Sequence, residues 1–229
     1  MNRYVRQEIF ICKKEQKKLG KSKVVVIGLG ALGGLTSELL VRAGIGEIIL
    51  VDNDKIEIEN LQRQHLYNEK DVGEYKVKVA KKKLTEINSK VKINVVFNML
   101  NKDNLSILDS DLVLDCTDNF EARFLINEYC VLHKIPWIYA SAIRDKGNIL
   151  VVKDICFNCV FGYRKTFEKC ASVGILNTIT SLVSSVQVNE AIKLLTGKKY
   201  EKDLLRFDLG SNSFERVKVS KKKNCEVCG

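Results

Sequence analysis

The amino-acid sequence predicts an α/β protein: a doubly wound, mainly parallel sheet followed by an antiparallel strand extension. Three observations predict it. Apolar runs alternate with amphipathic stretches from Lys23 to Ala140, as successive βαβ units do. The first run, KVVVI (Lys23–Ile27), is continuously apolar, as a parallel strand buried on both faces should be. It leads directly into Gly28-x-Gly30-x-x-Gly33, a turn that opens a helix.

The elements follow in order. Arg3–Gly20 reads as a helical N-terminal arm. The glycine turn leads to a helix from about Ala31 to Ala43, and IILV (Ile48–Val51) is the second strand. Lys76–Asn88 is an amphipathic helix with Val77, Ala80, Leu84 and Ile87 on one face. Lys92–Phe97 and Leu112–Asp115 are the third and fourth strands. Asn119–His133 is a helix, and Trp137–Ala140 is the fifth strand, after Pro136. Gly147–Val152 reads as another strand. Cys156–Ser172 is polar, aromatic and without a clear period, which is expected of a long functional loop. In Thr178–Leu195, Ile179, Leu182, Val183, Val186, Ala191 and Leu194 recur at about helical spacing. Leu204–Asp208 and Phe214–Val219 form the antiparallel strands. With no repeat and no low-complexity linker, the expectation is one domain over residues 1–229. Its parts are an arm (1–20), a nucleotide-binding core (21–152), a crossover loop (153–176) and a C-terminal region (177–229).

Composition narrows the class. The chain is 45% hydrophobic over 229 residues, enough for a sizeable core. No apolar run approaches a membrane span, and the N-terminus lacks the apolar region and cleavage site of a signal peptide, so the expectation is a cytoplasmic protein. The net charge of +10 comes from 38 Lys and Arg against 28 Asp and Glu. It is compatible with an acidic partner or with a solvated, lysine-rich surface. The eight cysteines of a cytoplasmic chain are not a disulfide framework, because thiols stay reduced there.

The glycine turn, between a strand and a helix, is a place for phosphate: backbone can approach closely, and the helix N-terminus favours negative charge. Asp52 closes the second strand, where a ribose-binding acid belongs. Taken alone, this arrangement predicts a nucleotide site, with NAD the default. Its surroundings do not suit hydride transfer, which needs a proton donor or acceptor beside the substrate. The two histidines, His65 and His133, read as surface or structural residues. The sequence concentrates anion chemistry instead. Arg63 follows the second strand, Lys76 starts the next helix and Asp118 follows the fourth strand. Cations beside a carboxylate suit a triphosphate and its Mg²⁺, although each of the three read singly could be an ordinary surface ion pair. The four sulfurs of Cys156-x-x-Cys159 and Cys225-x-x-Cys228 match a closed, structural, tetrahedral Zn²⁺ site. Such an ion would clip the C-terminal tail to the start of the long loop. Cys12, Cys116 and Cys130 lie in apolar settings and read as core. Cys170 stands alone in the loop with Lys165 and Lys169 close before it, and neighbouring lysines lower a thiol's pKa.

RYVRQ (Arg3–Gln7), GLGALGG (Gly28–Gly34), VDNDKIEIENLQRQ (Val51–Gln64), DVGEYK (Asp71–Lys76), LDCTDN (Leu114–Asn119) and the paired CxxC occur in one order. In this the chain resembles the ThiF/MoeB/HesA family, relatives of ubiquitin-activating enzymes, from Arg3 to Cys228. The resemblance implies a Rossmann-like fold and an adenylyltransferase that uses ATP and Mg²⁺. Its substrate would be the C-terminal glycine of a ubiquitin-like sulfur-carrier protein ending in Gly-Gly. It implies that Gly28, Gly30 and Asp52 hold adenosine and ribose. Asn60, Arg63 and Lys76 would contact the phosphates, with Leu61 and Gln62 in the same nucleotide-binding run. Asp118 would bind Mg²⁺ beside Asn119, and Asp54 would organise the Mg²⁺ side or fix its turn. Arg6 would reach into a partner's site, implying a homodimer. Cys170 corresponds to a cysteine that forms a covalent sulfur linkage in one branch of the family and is dispensable for adenylation in others. No rhodanese-like segment follows Cys228, so the expectation is that sulfur comes from a separate donor such as a cysteine desulfurase or rhodanese. Two alternatives stay open: an ATP-dependent cyclodehydratase acting on a tRNA base, and a non-catalytic subunit of an activating enzyme. The CxxC pairs and the NLQRQ context favour the carrier-activating branch over the tRNA-modifying one, with nucleic acid not expected as a partner, and the presence of Arg6, Arg63, Lys76 and Asp118 argues against a non-catalytic subunit.

Overall fold

The computed structural model describes residues 2–162 and 173–229. The arm is two helices, α1 (Val5–Ile11) and α2 (Lys13–Leu19). The core follows as β1 (Lys23–Ile27), α3 (Gly33–Ala43), β2 (Glu47–Val51), α4 (Lys76–Ile87), β3 (Lys92–Val96), β4 (Leu112–Asp115), α5 (Phe120–Leu132) and β5 (Trp137–Ile143). Then come β6 (Lys146–Val152), α6 (Phe157–Phe161), α7 (Asn177–Thr196), β7 (Leu204–Asp208) and β8 (Ser213–Val217).

The eight strands form one sheet in the order β3-β2-β1-β4-β5-β6-β7-β8. Strands β3 to β5 run parallel, and β5 to β8 pair antiparallel. The chain reverses its direction of travel across the sheet between β1 and β4, and the crevice outside the carboxyl ends there is where such sheets bind ligands. The continuous apolar run of β1 is explained by its two covered faces. Val24 and Val26 pack with Leu40, Ala80, Leu84 and Ile179 of α3, α4 and α7. Val25 and Ile27 pack with Ile126, Trp137 and Phe157 on the other side.

Four details depart from the sequence reading. The arm is broken at Cys12, which has φ 67 and is exposed. It is therefore not core: the junction turns its side chain outward, beside Glu15. The fifth strand runs on to Ile143 and pairs along its whole length with β6. The antiparallel strands thus extend the parallel sheet edge to edge as one eight-stranded sheet. The long loop is not wholly irregular, since it contains α6. Cys170, Lys165 and Lys169 lie outside the described residues. Among the described residues, no helix is long and apolar enough to cross a membrane.

Candidate active site

The glycine turn sits at the carboxyl end of β1, beside those of β2 and β4. Two of its glycines serve the fold. Gly28 has φ +86, and a Cβ there would lie 2.8 Å from the Cys116 carbonyl oxygen. A Cβ on Gly33 would run into the Gly28 carbonyl oxygen. Gly30 differs: a Cβ there would meet only the Gln64 amide nitrogen, at 3.8 Å. Packing does not require a glycine at this point, and its absence of a side chain leaves the backbone open to close approach.

Asp52 ties this turn to the next. Its Oδ2 accepts the Leu29 N–H at 2.6 Å and its Oδ1 accepts the Asp54 N–H at 2.7 Å. Tyr67 donates its hydroxyl to the Leu29 carbonyl at 3.0 Å from beneath. Burial pushes the Asp52 carboxyl above the usual carboxylate range, against the opposing pull of Lys76 and the two N–H groups. Lys76 opens α4 and is buried. Its Nζ pairs with Asp54 Oδ2 at 2.8 Å, and its N–H bonds the Asp54 carbonyl at 2.9 Å. Asp54 thus aims Lys76 and fixes the turn together.

The run after β2 is wound into a short 3₁₀ turn, Ile58–Asn60. Asn60 is buried, its Oδ1 accepting the Glu57 N–H at 3.3 Å and its carbonyl accepting the N–H groups of Arg63 and Gln64. Arg63 is half-buried, with Nη1 on the Glu59 carbonyl at 2.9 Å. Leu61 packs against the core, and the exposed Gln62 points to the Ile175 carbonyl at 3.4 Å. Asp118 is exposed just past β4, the strand beside β1, and Asn119 caps α5 by accepting the Ala122 N–H at 2.9 Å. Asp118 and the outer side of Asp54 offer the carboxylate oxygens that Mg²⁺ takes along with phosphate oxygens.

Arg6 is not brought to this site within one chain. Its helix packs on the far end of α3, where Gln7 donates to the Ala43 carbonyl at 2.8 Å, and an 11-residue helix is about 16 Å long. Both histidines are exposed and engaged with neighbouring side chains. His65 is exposed and bonds the Ser181 hydroxyl at 2.9 Å, and exposed His133 stacks on Tyr129.

Sequence reasoning passed over three groups. Gln64 is 4% exposed, and its Oε1 has no partner among the described residues. It is the amide that faces Gly30, and its place in the NLQRQ run was the available signal. Tyr67 had none. Asp115 and Arg123 form a buried ion pair at 3.0 Å. A lone arginine on the sheet-facing side of α5, one turn after Asn119, was the signal there.

The four cysteines Cys156, Cys159, Cys225 and Cys228 converge, all sulfurs lying within 4.8 Å of one another. The sulfur separations are 3.6 Å (Cys156–Cys159), 3.4 Å (Cys156–Cys225) and 3.6 Å (Cys159–Cys228). A tetrahedral ion with metal–sulfur bonds of about 2.3 Å needs sulfurs about 3.8 Å apart, so the donor set fits. The Lys222 N–H also points at Cys159 Sγ, at 3.3 Å. Although burial opposes it, N–H groups of Val227 and Cys228 bring the Cys225 thiol down to about 6. Cys116 and Cys130 are buried, and desolvation pushes both thiols up, Cys130 to about 12.

The ThiF family profile matches residues 4–227 of the chain. The sulfur carrier protein ThiS adenylyltransferase of Bacillus subtilis (strain 168) is 36% identical, over 99% of this chain and 71% of that protein. The molybdopterin-synthase adenylyltransferase of Escherichia coli (strain K12) is also 36% identical, over 93% of this chain and 90% of that protein. Among solved structures, E. coli MccB with ATP is similar at a TM-score of 0.88 and 26% identity, over 99% of this chain and 74% of that one.

Proposed function

The chain belongs to the ThiF family, and from that premise we propose that it adenylates the C-terminal glycine of a ubiquitin-like sulfur-carrier protein, using ATP and releasing pyrophosphate. One observation carries the reading. Gly30 leaves its backbone open to close approach, Asp52 holds the adjoining Leu29 N–H, the buried Lys76 pairs with Asp54 two residues on, and the two histidines are engaged with Ser181 and Tyr129. That is a site for phosphate chemistry without a general base.

The reaction needs no base, because a glycine carboxylate is already ionised at neutral pH. Its oxygen bonds to the α-phosphorus as the bond to the bridging oxygen breaks, and pyrophosphate leaves with the electron pair. The obstacle is electrostatic. Two unit charges 4 Å apart repel by roughly 4 kcal/mol at an effective dielectric near 20, and several such pairs meet here. Lys76, held by Asp54, and Arg63, held by the Asn60 turn, offset that repulsion. The α3 N-terminus adds its backbone N–H groups. Among the described residues each oxygen of Asp52 accepts a single hydrogen bond, leaving lone pairs for the ribose hydroxyls. Mg²⁺, held by Asp118 with Asp54 and Asn119 beside it, would neutralise further phosphate charge. Gln64 completes the wall opposite Gly30.

Zn²⁺ suits the four thiols as a closed structural site. It would tie α6 to the chain's last residues. Arg6 lies at the far end of α3 on the same short helix as Ile9 and Phe10, which are 77% and 85% exposed. Those exposed apolar groups support a homodimer in which each Arg6 serves the partner's site. A cysteine desulfurase or rhodanese would supply the sulfur for the activated glycine.

Arg63→Ala or Asp118→Ala should abolish carrier-dependent ATP–pyrophosphate exchange while leaving the protein folded. Full exchange in either variant would sink the assignment.

A further inference from the structure

The turn that carries Asp118 is braced from behind by a group with no part in the chemistry described above. Asp115 ends β4 fully buried, and its Oδ1 accepts both the Thr117 N–H at 2.9 Å and the Thr117 hydroxyl at 2.6 Å. Arg123, one helical turn into α5, closes the arrangement. Its Nε donates to Asp115 Oδ2 at 3.0 Å, and its Nη2 donates to the Thr117 carbonyl at 2.6 Å and the Ala140 carbonyl of β5 at 3.4 Å. The guanidinium lies 5.0 Å from the ring centres of both Phe120 and Tyr139, which limits its rotation. The turn is also anchored at its ends, by Cys116 N–H on the Ile27 carbonyl at 2.9 Å and by the Asn119 cap. Cys116 is buried and Thr117 is held on Asp115, while Asp118, next in the turn, is exposed at the carboxyl end of β4, the strand beside β1.

We propose that Arg123 is a positioning residue for Asp118. By clamping the Asp115 carboxylate and the Thr117 carbonyl together, it holds the 116–119 turn so that the Asp118 carboxylate meets the divalent cation of the bound nucleotide. The inference rests on the adenylation reading and adds to it a residue that touches neither nucleotide nor cation. A buried ion pair gives little net stability over an apolar group of similar volume. What this one gives is geometry: one planar group with fixed donors spans β4, the turn and β5. Burial works against the charge on Arg123, but Asp115 chiefly, with Tyr139 and Asp118 adding to it, keeps its pKa above the usual arginine value. Arg123 is therefore charged at every working pH, while burial pushes the Asp115 carboxyl above the usual carboxylate range against the pull of Arg123 and Thr117.

The test uses the full chain and equilibrium ATP binding by calorimetry, with and without Mg²⁺, beside melting temperatures. Wild type should bind ATP more tightly with Mg²⁺. Arg123→Gln should lower that Mg²⁺-dependent gain by about tenfold or more, as loss of groups that orient metal ligands does. Arg123→Lys, which keeps the charge but cannot span both acceptors, should fall between. The double variant with Asp118→Asn should be no worse than Asp118→Asn alone, because both act on one interaction. If Arg123→Gln does not fold, Arg123→Met fills the same space without a charge and takes its place. A Mg²⁺ gain equal to wild type in the folded variant, or losses that add in the double variant, would overturn the proposal. Failure of wild type to bind ATP would instead remove the adenylation reading, and this inference with it.

Discussion

Gly30→Ala separates a glycine kept for a ligand from the two kept for the fold. The Gly30 backbone is not in the left-handed region, and a Cβ there meets nothing nearer than the Gln64 amide at 3.8 Å. Without ligand, the alanine should therefore be accepted. Replacing glycine by alanine at a compatible position stabilises by about 0.4–1 kcal/mol, through lost freedom in the unfolded chain. For a chain of this size that raises the melting temperature by about 1 to 4 °C. The nucleotide should respond in the opposite direction. The methyl group occupies space that phosphate needs to reach the backbone, and ATP affinity should fall by at least about tenfold, or about 1.4 kcal/mol. Thermal melts with and without ATP, together with ATP–pyrophosphate exchange, read both effects in one preparation. Gly33→Ala is the contrast, because its Cβ collides with the Gly28 carbonyl and the fold itself should fail. ATP affinity unchanged in Gly30→Ala would refute the view that this space belongs to a ligand. A melting temperature lowered by many degrees would refute the packing argument.

Asp52→Asn should weaken ATP binding by removing a ribose acceptor, yet melt within a few degrees of wild type at neutral pH. Burial raises the Asp52 pKa in the fold, so its stability contribution is fully present below the unfolded pKa and is lost as pH rises through the folded value. The melting temperature of wild type minus that of Asp52→Asn should therefore grow as the pH falls from neutral to the usual carboxylate range, and a difference that shrinks would contradict the sign. The thiol cluster should carry a single zinc equivalent per chain, measurable by atomic absorption. Stripping the ion with a chelator, or Cys225→Ser, should expose the C-terminal tail to protease; equal resistance with and without the ion would count against a structural metal.

Much of the fold was legible because short-range physics writes it into short stretches. Buried parallel strands are apolar throughout, amphipathic helices repeat at their own period, and glycine marks a backbone that a side chain would obstruct. Gly28, Asp52 and Asp118 could be placed at strand ends and Lys76 at a helix start from these signs. The cysteine pairs could be matched to one another because metal chemistry admits few spacings.

Other features came only from the folded chain. That β6 extends the parallel sheet depends on pairing with β5 and β7, and pairing is a relation between segments that no single stretch encodes. Cys12 sits in an apolar run, yet a break between α1 and α2 turns it to solvent. Asp54 pairs with Lys76, 22 residues later, at 2.8 Å, a contact between two segments that neither encodes alone. The sequence by itself determined which residue types were available for phosphate and metal, because composition and local period are properties of the chain. The tertiary structure alone decided that Arg6 lies a helix length from the glycine turn, that Gln64 faces Gly30, and that Arg123 braces the Asp118 turn. Those are distances through space, set by how helices pack across a twisted sheet.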